Sequence, residues 1–343
     1  MKIHVVCKVI DNYGDAGFCL RLSSALCARG HQVRLFHDDA RAFSLLYPVA
    51  CVDGLVLIDA ACTNLQLDAY PKPDLVIEPF GTSSEHTRWR FDLELKQRCP
   101  QVPWLVVDYL SAEAWVEQFH LSSSTNPETG HVCTYFYPGF SHKTGGLIHC
   151  DVNQATMLRP TPSNSKVFVF AYPNAPIDAL IDCARASGQV VKISSAQTGH
   201  VPSITNAVPF VPQDQFDELL AQYDFLFVRG EDSFVRAQLL GKPFVWQVYP
   251  TPDGLHEVKL TAFLNRYLAR CGSECALAVR NLWLCWNGKT PSTALANVWL
   301  AINAHWQELQ EHALSWRSHL LGNPELVEEV LVWFEQQGNS SPK

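Results

Sequence analysis

The fold of this chain is decided by the stretch Val9-Ile10-Asp11-Asn12-Tyr13-Gly14-Asp15-Ala16-Gly17, which joins a strand to a helix through a turn with two carboxylates. Residues 3–10 form an apolar, β-branched run of buried-strand length. Residues 18–29 carry apolar side chains at helical spacing, and Gly30 closes that helix. The turn is therefore expected at the carboxyl end of a strand in an α/β unit, where open parallel sheets bind their ligands.

The two aspartates of this turn allow two interpretations. Two acids indicate a cationic or hydroxylic ligand, because a nucleotide phosphate would favour glycines and bare amides. Alternatively, Asp15 is an N-cap residue and Asp11 an ordinary turn residue. The turn is not a dinucleotide fingerprint, since it offers Gly14 and Gly17 without a third glycine or a Gly-x-Gly turn.

A second strand-loop-helix-strand unit is predicted in the second half of the chain, with strands at 223–228 and 244–249 and a helix at 234–240. Its loop is Arg229-Gly230-Glu231-Asp232-Ser233. Gly230 lets the backbone approach a ligand closely, and the amides that begin the helix suit a diphosphate. The alternative is that the acids of the first helical turn only complement the helix dipole, which is worth ~0.3–1 kcal/mol for each acid.

Length and charge exclude several classes of protein. A chain of 343 residues favours two domains. It contains no apolar run near the ~20 residues that span a bilayer. It begins Met1-Lys2-Ile3 and enters the first strand at once, so we expect no signal segment and a cytoplasmic location. The net charge of -8, without a Lys/Arg cluster, disfavours binding to nucleic acid or to an anionic membrane.

The 12 cysteines could suggest disulfides or a zinc site. Cys7, Cys19 and Cys27 fall inside a predicted strand and helix, however, and the sequence has no Cys-x-x-Cys pair. The nearest pair, Cys271 and Cys275, has no matching second pair. We therefore expect buried, reduced thiols of a cytosolic protein.

Strands and helices alternate on both sides of a polar, proline-bearing segment at 151–165, which we interpret as a hinge. Further strands are predicted at 32–37, 55–58, 74–78, 104–107, 166–172, 190–193 and 208–210. Helices are predicted at 293–310 and 325–337, before a disordered tail at 338–343. This alternation predicts two doubly wound domains that face one another, at 1–155 and 156–322, followed by a C-terminal helix and tail at 323–343. GT-B glycosyltransferases have this layout, although periodicity alone also allows a sugar-nucleotide epimerase.

Several stretches resemble one enzyme family. Asp11-Asn12-Tyr13-Gly14-Asp15-Ala16-Gly17 resembles the Asp-Asn-(Tyr/Phe)-Gly-Asp-x-Gly signature of the protein-arginine rhamnosyltransferase family EarP. Residues 229–238, continuing into 241–250, resemble its second signature, and residues 109–115 and 138–140 are similar to shorter family segments. Two departures are that Thr251-Pro252-Asp253-Gly254-Leu255-His256 is less acidic than the family pattern and that Ala16 replaces a larger aliphatic residue.

The resemblance implies an α/β GT-B fold and an inverting transfer of rhamnose from dTDP-β-L-rhamnose to one arginine of translation elongation factor P. We expect no metal and no cofactor, because the amides at the helix start near Ser233 can offset the charge of the leaving diphosphate. The acceptor protein and the catalytic acids would belong to the N-terminal domain, and the nucleotide-sugar donor to the C-terminal domain. Asp15 would be the general base and Asp11 a supporting acid beside the acceptor guanidinium.

The remaining site residues follow from the same resemblance. Phe170 and Phe210 would sandwich the thymine, although Phe170 lies in an apolar strand and is also a candidate for the core. Glu231 would repel a phosphate, so we place it on a sugar hydroxyl or toward the acceptor and count it as catalytic. Substrate contacts are assigned to Asn12, Tyr13, Gly14, Tyr172, Gln213, Arg229, Gly230, Asp232, Ser233 and Tyr249.

The proposed chemistry needs residues of these types. An arginine side chain is a poor nucleophile because it is a delocalised cation with a pKa above ~12. A carboxylate must hold it and accept its proton as the C–N bond forms. Two alternatives remain: a GT-B enzyme with a lipid or small-molecule acceptor, and a non-catalytic module that binds a translation factor or a nucleotide. A lipid-acting enzyme would be expected to show a basic, apolar patch, and a binding module would not need acids in both loops.

Overall fold

The computed structural model describes residues 1–61, 67–81, 91–127, 130–149, 161–194 and 207–339. The chain divides into two compact units, Met1–His149 with Asn323–Lys343, and Cys150–Gly322. Most of the predicted hinge, residues 151–160, lies outside the described residues. None of the described helices is long and apolar enough to cross a membrane.

The first unit is built on a seven-stranded sheet in the described part of the chain. Its strands are β1 (Lys2–Cys7), β2 (Gln32–His37), β3 (Leu55–Asp59), β4 (Leu75–Pro79), β5 (Trp104–Val107), β6 (Ser123–Thr125) and β7 (Val132–Phe136). Their order is β3-β2-β1-β4-β5-β7-β6, and β6 runs antiparallel to β7. The helices are α1 (Asn12–Ala28), α2 (Ala40–Leu46), α3 (Phe91–Arg98) and α4 (Trp115–Phe119). The loop after β1 thus lies near the middle of a largely parallel sheet.

The second unit contains a five-stranded, wholly parallel sheet among its described residues. Its strands are β8 (Lys166–Val169), β9 (Val190–Ser194), β10 (Ala207–Val208), β11 (Phe225–Arg229) and β12 (Phe244–Gln247), in the order β10-β9-β8-β11-β12. The helices are α5 (Ile177–Ala186), α6 (Gln213–Ala221), α7 (Asp232–Leu239), α8 (Leu255–Leu268), α9 (Ser273–Trp286), α10 (Leu295–Ala304) and α11 (Trp306–Leu321). The strand order reverses beside β8, and β11 follows on its other side, so the loop after β11 lies near the switch point where doubly wound sheets bind ligands.

The chain returns to the first unit in its last helix, α12 (Leu326–Asn339). The Leu326 amide donates to the Leu147 carbonyl at 2.9 Å. Asn323 donates from Nδ2 to the Phe140 carbonyl at 3.0 Å, and Arg29 pairs with Glu325 at 2.8 Å. The C-terminal helix is therefore part of the first compact unit.

Apolar burial holds each unit together, at about 1.5–3 kcal/mol for each large side chain. The first unit has a core cluster that includes Val6, Phe36 and Trp104. In the second unit Phe234 stacks on Trp246, with ring centroids 4.1 Å apart. These aromatic side chains come from strands and helices far apart in sequence, so the cores form only when the sheets assemble.

Several predicted boundaries of strands and helices are wrong. Strand β1 ends at Cys7 instead of residue 10, because the Val9 amide donates to Asp38 Oδ1 at 2.9 Å. Helix α1 begins at Asn12, six residues before the predicted start. Strand β8 ends at Val169 instead of residue 172, since the Tyr172 amide donates to the side chain of Gln247 at 2.7 Å.

The prediction of one helix at 293–310 is also wrong, because the helix is interrupted at His305 and forms two helices, α10 and α11. His305 leaves helical geometry, at φ -105° and ψ 20°, while its amide still closes the last turn of α10. The apolar spacing continues across the break, which is why periodicity did not reveal it. Helix α12 extends to Asn339, two residues into the predicted tail.

Two histidines of the first unit, the buried His4 and the half-buried His120, make its stability depend on pH. Burial lowers the pKa of His4 and of His120 from 6.5 to about 4, and the neutral His120 accepts the Tyr137 amide at Nδ1, 3.1 Å away. Because the folded protein binds fewer protons than the unfolded chain, stability is complete above pH 6.5 and is lost as the pH falls toward 4. Each group contributes at most about 3 kcal/mol.

We therefore expect the thermal midpoint to fall steeply between pH 6.5 and 4.5, and His120→Gln to flatten this dependence. Replacement of the exposed His142 by glutamine is the matched control and should leave the slope unchanged. A thermal midpoint that is flat over this range in the wild type would contradict the role of buried histidines.

Candidate active site

The loop between β1 and α1 is organised by the carboxylate of Asp15. This side chain belongs to the first turn of α1 and is 1% exposed. Its Oδ2 accepts hydrogen bonds from the amides of Ile10 at 2.7 Å and Asp11 at 2.8 Å. The alternative that Asp15 is the N-cap is wrong, since Asp11 occupies that position and makes no side-chain capping bond. The carboxylate instead reaches back and fixes the backbone that enters the helix.

Asp11 lies over the same helical turn because residue 14 is a glycine. A Cβ at Gly14 would stand only 2.8 Å from Asp11 Oδ2, closer than real contacts allow. The Gly14 amide donates to the Asp11 carbonyl at 2.6 Å. Asn12 is the first residue of α1, and Tyr13 is half-buried beside it. Asp11 is also half-buried, so its carboxylate is less enclosed than that of Asp15.

Two thiols lie under this loop. Cys7 Sγ is 3.9 Å from the Asp15 carbonyl, and both Cys7 and Cys19 are fully buried. Burial raises the pKa of both thiols, and the charge of the nearby Asp15 raises it further. Both thiols are therefore expected to remain neutral at physiological pH.

The loop between β11 and α7 turns at Gly230, whose φ of +66° is in the left-handed region that favours glycine. The Gly230 carbonyl accepts the indole N–H of Trp246 at 3.0 Å. Ser233 Oγ donates to the Arg229 carbonyl and accepts the Arg229 amide at 3.2 Å. The Ser233 hydroxyl therefore closes the loop onto the end of β11.

Aromatic rings surround the guanidinium of Arg229. Its central carbon lies 4.5 Å from the centroid of Phe170 and 4.5 Å from that of Tyr172, and Arg229 is only 7% exposed. Tyr172 also meets Tyr249 edge-on, with centroids 5.5 Å apart, and Tyr249 is 44% exposed. The sequence did not predict this use of Arg229. The arrangement places a cation against the half-buried Phe170, which is not a simple core residue.

The acids of this loop are each paired within the second unit. Asp232 Oδ2 accepts Gln213 Nε2 at 3.3 Å, and Glu231 Oε1 lies 2.7 Å from Lys259 Nζ. Lys259 comes from α8, and its ammonium is 5.7 Å from the Trp246 ring. Lys259 was missed because it lies 28 residues from Glu231, with no local signal in the sequence. Phe210 is half-buried, just after β10 and three residues before Gln213.

The structure thus gathers the predicted residues into two sets, one in each unit. The first set holds two carboxylates on a fixed turn, suited to grip and deprotonate a cationic group. The second set combines helix-start amides, a glycine bend, two cations and aromatic rings, suited to an anionic ligand with a ring system.

Comparisons with known proteins agree with this arrangement. The family model described as elongation factor P (EF-P) rhamnosyltransferase EarP matches residues 3–206 and 192–335. A protein-arginine rhamnosyltransferase of Pseudomonas putida is 32% identical over 375 residues, covering 96% of this chain and 97% of that protein. One of Neisseria meningitidis is 32% identical over 376 residues, covering 96% of each chain.

Solved structures give the same result. A structure that describes EarP-mediated arginine glycosylation of EF-P matches with a TM-score of 0.60 at 25% identity, over 99% of each chain. The glycosyltransferase VinC, solved with dTDP, matches with a TM-score of 0.55 at 12% identity, over 98% of this chain and 100% of that one. These likenesses confirm the predicted GT-B fold class, and the second bears on the fold alone.

Proposed function

We propose that this chain, which belongs to the EarP family of EF-P rhamnosyltransferases, moves rhamnose from dTDP-β-L-rhamnose to an arginine side chain of EF-P with inversion. The observation that carries the proposal is the pair of carboxylates after β1, one of them held by two backbone amides. The acceptor is a translation factor, so we place the enzyme in the cytoplasm.

We assign acceptor chemistry to the first unit. Asp11 holds the arginine guanidinium, and Asp15 accepts its proton as the nitrogen attacks the anomeric carbon. Because Asp15 is 1% exposed, the guanidinium must be inserted into the loop and cannot simply lie across it. Exclusion of water strengthens the attraction between the guanidinium and the aspartate carboxylates. It also holds the attacking nitrogen in position. The new C–N bond forms as the C–O bond to the diphosphate breaks, and dTDP leaves with that electron pair.

We assign donor binding to the second unit. Phe170 and Phe210 would flank the thymine, and Tyr172, Gln213 and Tyr249 would contact the donor. The amides at the start of α7 and the guanidinium of Arg229 would offset charge on the diphosphate. Glu231 is better placed for a sugar hydroxyl or for the acceptor, because its carboxylate is paired with Lys259 and would repel phosphate.

Intact mass tests the function directly. Purified EF-P is mixed with the enzyme and dTDP-rhamnose, and its mass is measured with time. We expect one deoxyhexose to be added, with no addition to EF-P in which the acceptor arginine is replaced by lysine. An unchanged EF-P mass, in the presence of donor shown to bind the enzyme, would refute EF-P as the acceptor.

Lys259 is predicted to support donor binding. Lys259→Gln leaves the Glu231 carboxylate without its 2.7 Å partner, so an uncompensated negative charge remains in the loop that is proposed to bind the donor. We expect dTDP binding to weaken roughly tenfold, in line with the loss of one charge-assisted hydrogen bond. Calorimetry checks this, and the double variant with Glu231→Gln should recover most of the affinity. Unchanged dTDP binding in Lys259→Gln would show that the Lys259–Glu231 ion pair has no part in donor binding and only connects the β11–α7 loop to α8.

We also predict that transfer needs no divalent ion. The sequence contains no Asp-x-Asp motif, which metal-dependent enzymes of the GT-A fold commonly use to hold an ion on the diphosphate. Fixed dipoles and the guanidinium of Arg229 can supply that charge here, while Lys259 neutralises Glu231. Turnover in excess EDTA should equal turnover with added magnesium or manganese. Loss of activity in EDTA that one of these ions restores would contradict this assignment.

A further inference from the structure

One cluster outside the candidate active site carries metal-ligating groups. Among the described residues, the Sγ atoms of Cys271 and Cys275 and a carboxylate oxygen of Glu308 lie within 4.8 Å of one another. We propose that these three side chains bind a zinc-type divalent ion, with water in the fourth position. The cysteine spacing alone argued against zinc, because the third ligand comes from a separate helix 33 residues further along the chain.

The fold brings these groups together at two helix starts. Cys271 lies in the turn between α8 and α9, where its amide donates to the Leu268 carbonyl at 3.1 Å. Cys275 lies in the first turn of α9 and is 1% exposed, and Glu308 lies in the first turn of α11. A Cβ at residue 272 would overlap Glu308 Oε1, so Gly272 allows the carboxylate to close onto the turn.

The chemistry of the three groups suits zinc better than magnesium or calcium. Thiolate sulfur is a soft ligand, and tetrahedral zinc sites combine sulfur with nitrogen or carboxylate oxygen. His305 Nδ1 lies 3.3 Å from Glu308 Oε2, so it can orient the carboxylate from outside the ligand set.

The ion would stabilise the second unit without taking part in transfer. Asn287, which follows α9, bonds the Val248 amide at 3.0 Å and the Trp246 carbonyl at 2.9 Å, at the carboxyl end of β12. Cys275 lies twelve residues earlier in this helix, roughly 18 Å away at 1.5 Å per residue. The ion would therefore connect the α8–α9 turn to α11. It would lie at the N-terminal end of α9, whereas the end of β12 lies beside the C-terminal end of α9.

Cobalt(II) is the probe, because its bonds to thiolate absorb in the near ultraviolet and its tetrahedral sites absorb in the visible. The full-length protein, reduced and freed of metal, is titrated with cobalt(II). We expect one equivalent to produce both absorptions and zinc(II) to abolish them. Cys271→Ser should bind cobalt much more weakly and show at most the charge-transfer band of one thiolate, Glu308→Gln should weaken binding roughly tenfold, and the matched control Cys183→Ser, on α5, should behave as wild type.

Thermal unfolding gives an independent measurement. Zinc at about a hundred times its dissociation constant should raise the melting temperature of the wild type by roughly 5 °C and that of Cys271→Ser by much less, with the transfer rate unchanged. Absence of the cobalt bands in fully reduced wild type, or an unchanged cobalt affinity and band intensity in Cys271→Ser, would overturn the proposal. Zinc bound to both thiolates should slow their oxidation. A Cys271–Cys275 disulfide that forms as fast with zinc as without it would also overturn the proposal.

Discussion

Asp15→Asn is expected to lower the rate of rhamnosyl transfer by about 10²–10⁴-fold, the usual loss when a general base is removed. The amide oxygen of asparagine can still accept the Ile10 and Asp11 amides, so the loop keeps its shape. It cannot accept a proton from arginine, however. Binding of dTDP-rhamnose should be nearly unchanged, because we assign donor binding to residues of the second unit. A transfer assay beside calorimetry measures both quantities.

Asp38→Asn is the matched control for this experiment. Asp38 also presents a carboxylate to this loop, through the Val9 amide at 2.9 Å, but it is not assigned to the reaction. Its replacement should leave transfer within a few-fold of wild type. Near-normal turnover in Asp15→Asn would limit Asp15 to holding the loop and would make Asp11 the candidate base.

Phe210→Ala is expected to weaken dTDP binding by roughly ten- to hundred-fold, since stacking of an aromatic ring on a base is worth ~1–3 kcal/mol. Phe170→Ala should have an effect of the same order and should also remove one of the two rings against the Arg229 guanidinium. Calorimetry with dTDP and with dTDP-rhamnose measures the loss for each variant.

The exposed Phe119, in the first unit, provides the control for loss of an aromatic side chain. Phe119→Ala should bind dTDP as wild type does. The thermal midpoint must be recorded for every variant, because a core role would lower it. If Phe210→Ala and Phe170→Ala melted at a much lower temperature but bound dTDP normally, both rings would belong to the core. The proposed thymine-binding site would then be wrong.

Helix and strand identity followed from the sequence where apolar spacing was strong. The strands β2 and β5 have the predicted bounds, and each predicted loop follows a parallel strand. The predicted ends of β1 and β8 were wrong because a side chain accepts a hydrogen bond from the backbone amide that follows each strand. Asp38 accepts the Val9 amide, and Gln247 accepts the Tyr172 amide. Such bonds join residues 29 and 75 positions apart, so no local pattern carries them.

The candidate site divides in the same way. The signatures around Asp11 and Glu231 could be recognised from residue types alone, because a turn that holds acids after a buried strand is a local feature. Lys259, which pairs with Glu231 from another helix, has no such signal. Phe170, Tyr172 and Arg229 were each named from the sequence, but no local pattern indicated that the two rings pack against the guanidinium.

The sequence by itself determined the α/β class, the position of each loop at a strand end and the family to which the signatures point. These properties depend on spacing within one element or across one turn. Only the tertiary structure decided which charges are paired, that Asp15 is buried, and that Cys271, Cys275 and Glu308 form one cluster. The reason is physical: pairing and burial depend on distances between elements, and those distances are set by packing of the whole unit.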